Sequence, residues 1–232
     1  MALKVVAIVP AAGIGKRFGS SEKKEFVTVT DNPLLLYPLQ VLHSIESITE
    51  IIPVVQKEDI ERCRKFTPAG MLNKIKKIVP GGGERQDSVY NALTHVKDDC
   101  LVLIHDGARP LVTRELIERL LQVIQGVDGV IPGIPVRDTL KQVDSQGYVH
   151  STVRREDFWL IQTPQVFRYQ TIKKAYDKAF EDGFYGTDDA ALVERTGGKV
   201  KVIPGDPLNI KVTTPEDMIT VSHTIAQRKN SN

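Results

Sequence analysis

The chain has 232 residues, 41% hydrophobic and 26% charged, which suits one α/β domain, or two small ones, with a sizeable core. A formal net charge of +2 excludes a global field that recruits nucleic acid, although local basic clusters remain open. No apolar stretch reaches the ~18 residues of a membrane span, MALKVVAIVPAAG lacks the layout of a signal peptide, and Cys63 and Cys100 match no metal spacing or disulfide framework, so a reducing, cytoplasmic setting is expected.

The pattern alternates β and α from the start. VVAIV (Val5–Val9) is an all-apolar run, as expected of a strand covered on both faces. Pro10 to Phe26 follows, rich in glycine, lysine and arginine. Pro33 opens a helical stretch through LLLYPLQVLHSI, with Pro38 ending or kinking its first turn. IIPVV (Ile51–Val55) and KIKKIV (Lys74–Val79) read as strands on either side of the helical EDIERCRKF. RQDSVYNALTHV places Val89, Ala92, Leu93 and Val96 on one helical face. CLVLIHD is a further strand that ends in polar residues at Asp106. RELIERLLQVI is an amphipathic helix capped by Thr113, and GVIPGIPV returns to strand.

There the rhythm breaks. DTLKQVDSQGYVHSTV has two β-like arms around Asp144-Ser145-Gln146-Gly147 and few large apolar residues. It is expected to project from the core and to bind a second subunit, as an arm over about 137–157 inserted in a single domain, 1–232. FWLIQTPQVF then reads as strand and turn, YQTIKKAYDKAFE and DDAALVERT as helices, KVKVIPG and NIKVT as two late strands. The last helix begins with Thr214 as N-cap, Pro215 in first position and Glu216 and Asp217 in the first turn, and is expected to fray after Ala226. This alternation implies an α/β fold with a mostly parallel, twisted sheet flanked by helices. Ligands of such sheets gather beyond the strands' carboxyl ends, here 11–24, 81–88, 105–110 and 135–139.

The first of these segments matches neither familiar phosphate loop. Gly13, Gly15 and Gly19 are spaced one residue too long for a dinucleotide fingerprint, and Arg17 stands where a P-loop needs Ser or Thr. What remains is a glycine loop able to approach an anion closely, flanked by Lys16, Arg17, Lys23 and Lys24, which fits several phosphates. The alternative is a solvated basic loop. PGGGERQDSV is a second glycine turn entering a helix, fit for a phosphate or a base edge but also a common β–α connection. LIHDGARP puts Asp106 at the end of a buried strand, where a carboxylate is costly unless paired or metal-bound. It suits Mg²⁺ or a ribose hydroxyl, or else simply caps the next turn. His105 reads as a structural histidine and Arg109 as a candidate for a second anion. Arg137, Asp138, Thr139, Arg154, Arg155, Thr187, Asp188 and Lys211 are each ordinary charged or polar strand-end residues when taken singly.

Together, PAAGIGKRFG with KKEF, GGGERQDSV, HDGARP, PVRDT, TPQVF, GTDDAALVE and NIKVTTPED resemble the 2-C-methyl-D-erythritol 4-phosphate cytidylyltransferase family, in family order and over nearly the whole chain. The resemblance implies a Rossmann-like nucleotidyltransferase fold and a homodimer joined through the arm. It implies that CTP and methylerythritol 4-phosphate give 4-diphosphocytidyl-methylerythritol and pyrophosphate, with Mg²⁺ or another divalent cation. Carried over by position, Ala11, Ala12 and Gly13 would line the CTP phosphates and base. Gly82, Gly83 and Ser88 would hold the cytosine side, and Asp106 would serve ribose and metal. Arg17, Lys24 and Lys211 would meet charge at the α-phosphate. Thr187 would lie by the methylerythritol, and Arg109, Thr139 and Arg155 would reach its phosphate from the partner subunit. Two departures stand out. The family usually has Pro-Lys-Gln where this chain has Lys23-Lys24-Glu25, which leaves two lysines competing for one role, with spacing favouring Lys24. An Asp is common where Gly83 stands.

Three rivals share parts of this reading. A ribitol-5-phosphate cytidylyltransferase would have the same fold and mechanism, but tends to carry a bulkier residue where Ala108 stands. An NAD-binding oxidoreductase conflicts with the glycine spacing and lacks a ribose-reading acid. A non-catalytic nucleotide-binding regulator would be expected to lack the set Arg17, Lys24 and Asp106.

Overall fold

The computed structural model describes residues 4–13, 23–97 and 100–230. In chain order, strand β1 (Val5–Pro10) leads through a 3-10 turn (Lys24–Phe26) to the short strands β2 (Thr28–Val29) and β3 (Asn32–Pro33), then helix α1 (Leu36–Ser44), β4 (Ile48–Val55) and α2 (Ile60–Phe66). Next come β5 (Val79–Pro80), α3 (Arg85–Leu93), β6 (Leu101–Ile104), α4 (Arg114–Val123) and β7 (Gly129–Pro135). Strands β8 (Leu140–Val143) and β9 (Val149–Val153) form the arm. They are followed by β10 (Trp159–Ile161), β11 (Gln165–Arg168), α5 (Tyr169–Glu181), α6 (Asp189–Arg195), β12 (Val200–Pro204) and α7 (Pro215–Asn230).

The main sheet runs β10-β7-β11-β6-β1-β4-β5, with β12 added to β7. Its centre is parallel: β1 pairs β4 and β6 in that sense, and β4 pairs β5. β11 and β10 are antiparallel to their neighbours, so the sheet is mixed around a parallel core. Every second residue of β1 faces the same way, and both sets are buried. Val5, Ala7 and Val9 pack with α1, α2 and α4, while Val6 and Ile8 pack with α3, α5 and α6. A continuous apolar run is what a strand needs when helices cover both its faces.

A third apolar cluster joins Val29 and Leu34 to Leu111, Val212, Val221 and Ile225, seating α7 against the β2–β3 hairpin. It corrects two expectations. NIKVT is not a strand: Val212 N–H donates to the carbonyl of Ala108 (2.8 Å) in a turn, so the segment is held by packing and turn bonds instead of a ladder. The described residues after Ala226 do not fray. They stay helical to Asn230, with Arg228 donating to the carbonyl of Leu111 (3.2 Å). KIKKIV is also shorter as a strand than expected, because Lys74 turns back to the carbonyl end of α1, donating to His43 and Ile45, and only Val79 and Pro80 reach β4. The arm pairs Leu140 with Val153 through to Val143 with Val149, and leaves Val143, Tyr148 and Val149 more than half exposed.

Candidate active site

Connections leave the sheet in opposite directions on the two sides of β1, toward β4 and β5 on one side and β6 on the other. A crevice opens at such a reversal, beyond the carboxyl ends of the strands. Two adjoining clefts occupy it. The first, about 360 Å³, is lined by Ala11, Ala12 and Gly13 after β1, Lys24 and Glu25, the turn Gly82–Arg85, Ser88, and Asp106, Ala108 and Lys211. The second, about 490 Å³, is lined by Arg109, Gln162, Thr163, Thr187, Asp188 and others. Arg85, Asp106 and Lys211 line both.

The glycine turn is built by its own helix start. Glu84 and Asp87 form a reciprocal capping box at the head of α3, with Glu84 N–H donating to Asp87 Oδ2 at 2.8 Å. Ser88 Oγ accepts from Gly82 N–H (3.1 Å) and donates to the carbonyl of Glu84 (3.1 Å), so this hydroxyl shapes the turn it was expected to serve. Glycine is required at 81, because a Cβ there would lie 2.3 Å from that of Ala12 and push the two loops apart. At Gly83 a side chain would meet only Asp87, at ordinary contact distance.

Asp106 is the electrostatic centre. Burial alone would raise its pKa, yet Arg85 and Lys211 outweigh burial and hold the carboxyl well below the usual carboxylate range. Arg85 Nε donates to one oxygen (2.8 Å) and Lys211 Nζ to the other (2.7 Å). The rest of the Arg85 guanidinium forks onto Asp189, at 3.0 and 2.7 Å, and Tyr176 also donates its hydroxyl to Asp189. Asp189 is fully buried at the head of α6, so Arg85 ties α3, β6 and α6 together through two carboxylates. Sequence reading missed Arg85. Its only signal was a charged residue opening α3 directly after a glycine turn.

His105 is structural, as read. Burial lowers its pKa to about 4, so it is neutral at pH 7. Nε2–H donates to the carbonyl of Arg109 (3.0 Å), which leaves Nδ1 to accept from Thr163 Oγ1 (3.2 Å), whose oxygen in turn accepts from Asp106 N–H (3.0 Å). This chain of bonds fixes the β6 turn and with it Asp106 and Arg109. Arg109, expected to reach the acceptor phosphate from a partner subunit, lines this chain's own second cleft. Nη1 there donates to the carbonyl of Asn209 (2.7 Å), and Nε is buried without a partner among the described residues.

The structure also separates the two lysines. Lys23 turns away from the cleft and pairs with Glu58 (2.8 Å) and Asp59 at the start of α2. Lys24 lines the cleft and donates to the carbonyl of Val212 (2.9 Å), one residue from Lys211. Glu25 beside it is 3% exposed, and its Oε2 has no hydrogen-bond partner among the described residues. Burial, more than its attraction to Lys24, sets its pKa, which is raised. Thr187 is exposed at the rim of the second cleft. Thr139 and Arg155 are exposed on the arm and line neither cleft, and Arg155 donates to the carbonyl of Arg137 at the arm's base. Arg17 lies outside the described residues. Among the described residues no group of three His, Cys, Asp or Glu side chains is placed to hold a metal. No helix among them is long and apolar enough to cross a membrane.

This arrangement suits a polyanion in the first cleft and a second anion in the other, with a shared wall of fixed charges between them. A curated relative from Desulforamulus reducens, named 2-C-methyl-D-erythritol 4-phosphate cytidylyltransferase, is 44% identical over 97% of each chain. One of the same name from Dictyoglomus thermophilum is 47% identical over 93% of this chain and 94% of its own. The solved 4-diphosphocytidyl-2C-methyl-D-erythritol synthase of Anaerococcus prevotii superposes with a TM-score of 0.83 at 31% identity, covering 97% of each chain, so the α/β nucleotidyltransferase fold is shared. With the model of the family matching residues 5–227, the chain belongs to the 2-C-methyl-D-erythritol 4-phosphate cytidylyltransferase family.

Proposed function

We propose that the chain transfers a cytidylyl group from CTP to 2-C-methyl-D-erythritol 4-phosphate, releasing pyrophosphate, in isoprenoid biosynthesis by the non-mevalonate route. The observation that carries it is the meeting of two clefts at one charged wall, with Asp106, Arg85 and Lys211 common to both. CTP occupies the glycine-lined cleft, where backbone at Ala11–Gly13 and Gly82–Gly83 allows close approach to phosphates and base. The acceptor occupies the second cleft, where the Nε of Arg109, unpartnered among the described residues, offers a buried donor to its phosphate and Thr187 flanks it.

A phosphate monoester is largely dianionic at neutral pH, so attack needs no general base. An acceptor phosphate oxygen forms a new bond to the α-phosphorus while the bond to the β-phosphate's bridging oxygen breaks and pyrophosphate departs. The work of the protein is positioning and charge neutralisation. Lys24 and Lys211 supply that charge at the boundary of the clefts, with Arg17 of the first loop assigned to the same task. Asp106 stays ionised and fixes Lys211. It also suits a phosphate-borne Mg²⁺, or another divalent cation, as its one protein carboxylate, because among the described residues each oxygen accepts a single hydrogen bond and retains a lone pair. Such an ion would offset the charge of the triphosphate when bound.

The proposal extends to a single domain that dimerises through the β8–β9 arm and brings Thr139 and Arg155 to the partner's acceptor cleft, in a cytoplasmic setting. Pyrophosphate release with CTP and Mg²⁺ tests the reaction, with methylerythritol 4-phosphate and ribitol 5-phosphate in separate arms. Release with the first alone is expected. Release with ribitol 5-phosphate alone would keep the fold and mechanism and overturn the acceptor.

A further inference from the structure

The turn that carries Lys24 is braced from outside the cleft. Lys23 Nζ pairs with Glu58 (2.8 Å) and with Asp59, at the head of α2. Asp59 is buried, and it makes no side-chain capping bond to its own helix, so its carboxylate is committed to Lys23. One turn further, the Arg62 guanidinium lies 4.6 Å from the centre of the Phe26 ring, and Phe66 meets the same ring edge-on at 5.9 Å. Gln56, immediately before, donates its side-chain amide to the carbonyl of Ala12. Stretch 56–66 therefore grips the nucleotide loop on both sides of residues 14–22, at Ala12 and at Lys23–Phe26.

We propose that Lys23 is a positioning residue: its ion pair with Asp59 fixes the turn from which Lys24 enters the cleft. Two successive lysines thus divide the labour. Lys23 anchors the backbone to α2, and Lys24, leaving the same turn in another direction, meets the carbonyl of Val212 and the substrate. The pair with Glu58 is exposed and screened and contributes little; the pair with Asp59 is the one that holds. The Asp59 pair is only partly screened, with side chains 26% and 12% exposed, so its loss should lower Tm by a few degrees at most and is read first in the reaction.

The inference rests on Lys24 acting in the reaction, and the test includes that premise. Lys23→Met and Asp59→Asn are each expected to lower kcat about tenfold, within the range that small misplacements of a catalytic group cost. KM for CTP should stay near wild type and Tm within a few degrees of it, and Lys23→Arg should restore kcat. Combining Lys23→Met with Lys24→Ala should leave the enzyme no slower than Lys24→Ala alone, because a residue that acts through another adds nothing once that one is gone. Wild-type kcat in Lys23→Met, or losses that multiply in the double variant, would overturn the proposal while leaving Lys24 in place. A fall in kcat that Lys23→Arg does not restore and that tracks Tm would overturn it as well. Near-normal turnover in Lys24→Ala would remove both the brace's purpose and the assignment of Lys24.

Discussion

Lys211 has a side chain 37% exposed and an Nζ 2.7 Å from Asp106, so it faces both clefts with its charge held in place. A donor fixed in advance costs no reorganisation when charge builds at the α-phosphate, and losing one such group typically removes about 3 kcal/mol, or roughly a hundredfold in rate. Lys211→Ala is therefore expected to lower kcat by that factor while circular dichroism and Tm stay close to wild type. Turnover within a fewfold of normal would take Lys211 out of the reaction. Glu25 makes the opposite bargain. Burial raises its pKa above the ordinary value near 4.5, so the folded chain holds the proton more tightly than the unfolded chain does. Stability from this group is present below that ordinary value and lost as pH rises through the raised one. Glu25→Gln removes the loss and should be more stable at pH 7, read as a rise in Tm. The advantage should vanish below about pH 4, where both forms are neutral. A variant less stable than wild type at pH 7 would mean that attraction to Lys24 outweighs burial.

At the scale of elements, the segment after β12 matters most, since it has no ladder to hold it. Val212 is fully buried in the third cluster, its N–H on Ala108 and its carbonyl on Lys24. Val212→Ala should cost about 2 kcal/mol through lost burial and the cavity left behind. It should also lower kcat, because both lysines of the site hang from this residue or its neighbour, and scanning calorimetry beside steady-state kinetics separates the two effects. An unchanged kcat at reduced Tm would make the segment a support for α7 alone. The same segment shows where sequence reading stopped. Strands with continuous apolar runs and helices with buried faces, β1, β6, α3 and α5, were legible because burial on both faces leaves a local signature. NIKVT also alternates, but its backbone partner is the turn carbonyl of Ala108, and Val29, Leu34 and Leu111 of its apolar cluster are likewise far upstream in the chain, and nothing local announces that. Arg85 was opaque for the same reason: the carboxylate it forks onto, Asp189, lies 104 positions downstream. That Gly13, Gly82, Gly83, Lys24 and Asp106 meet at one cleft was legible because glycine and charge at strand carboxyl ends mark where such a sheet opens. Spacing already favours Lys24 over Lys23, and α2 supplies the physical reason by holding Lys23 on Glu58 and Asp59.

At the scale of the whole molecule, the two arm residues assigned to the acceptor raise a question of completeness. Thr139 and Arg155 line neither cleft of their own chain, and the arm that bears them exposes Tyr148 (70%) and Val149 (60%). If a second copy receives that arm, each acceptor cleft takes its charge from two chains, and defects in different chains must complement. Lys211→Ala disables the cleft of its own chain, whereas Arg155→Ala disables the cleft of the partner. Neither variant alone should turn over at more than a small fraction of the wild-type rate. Mixed and allowed to exchange, half the dimers become hybrids, and each hybrid holds one site with both residues intact, so activity should recover to about a quarter of wild type. Light scattering of the mixture would report the dimer directly. Replacing the arm between β8 and β9 with a short turn should abolish both dimer and recovery while leaving CTP binding unchanged. If the mixture stays as inactive as its components while hybrid dimers are present, Arg155 works within its own chain or not at all. Recovery would instead mean that the arm is catalytic architecture as well as an interface, since a protomer that folds by itself lacks part of its acceptor site.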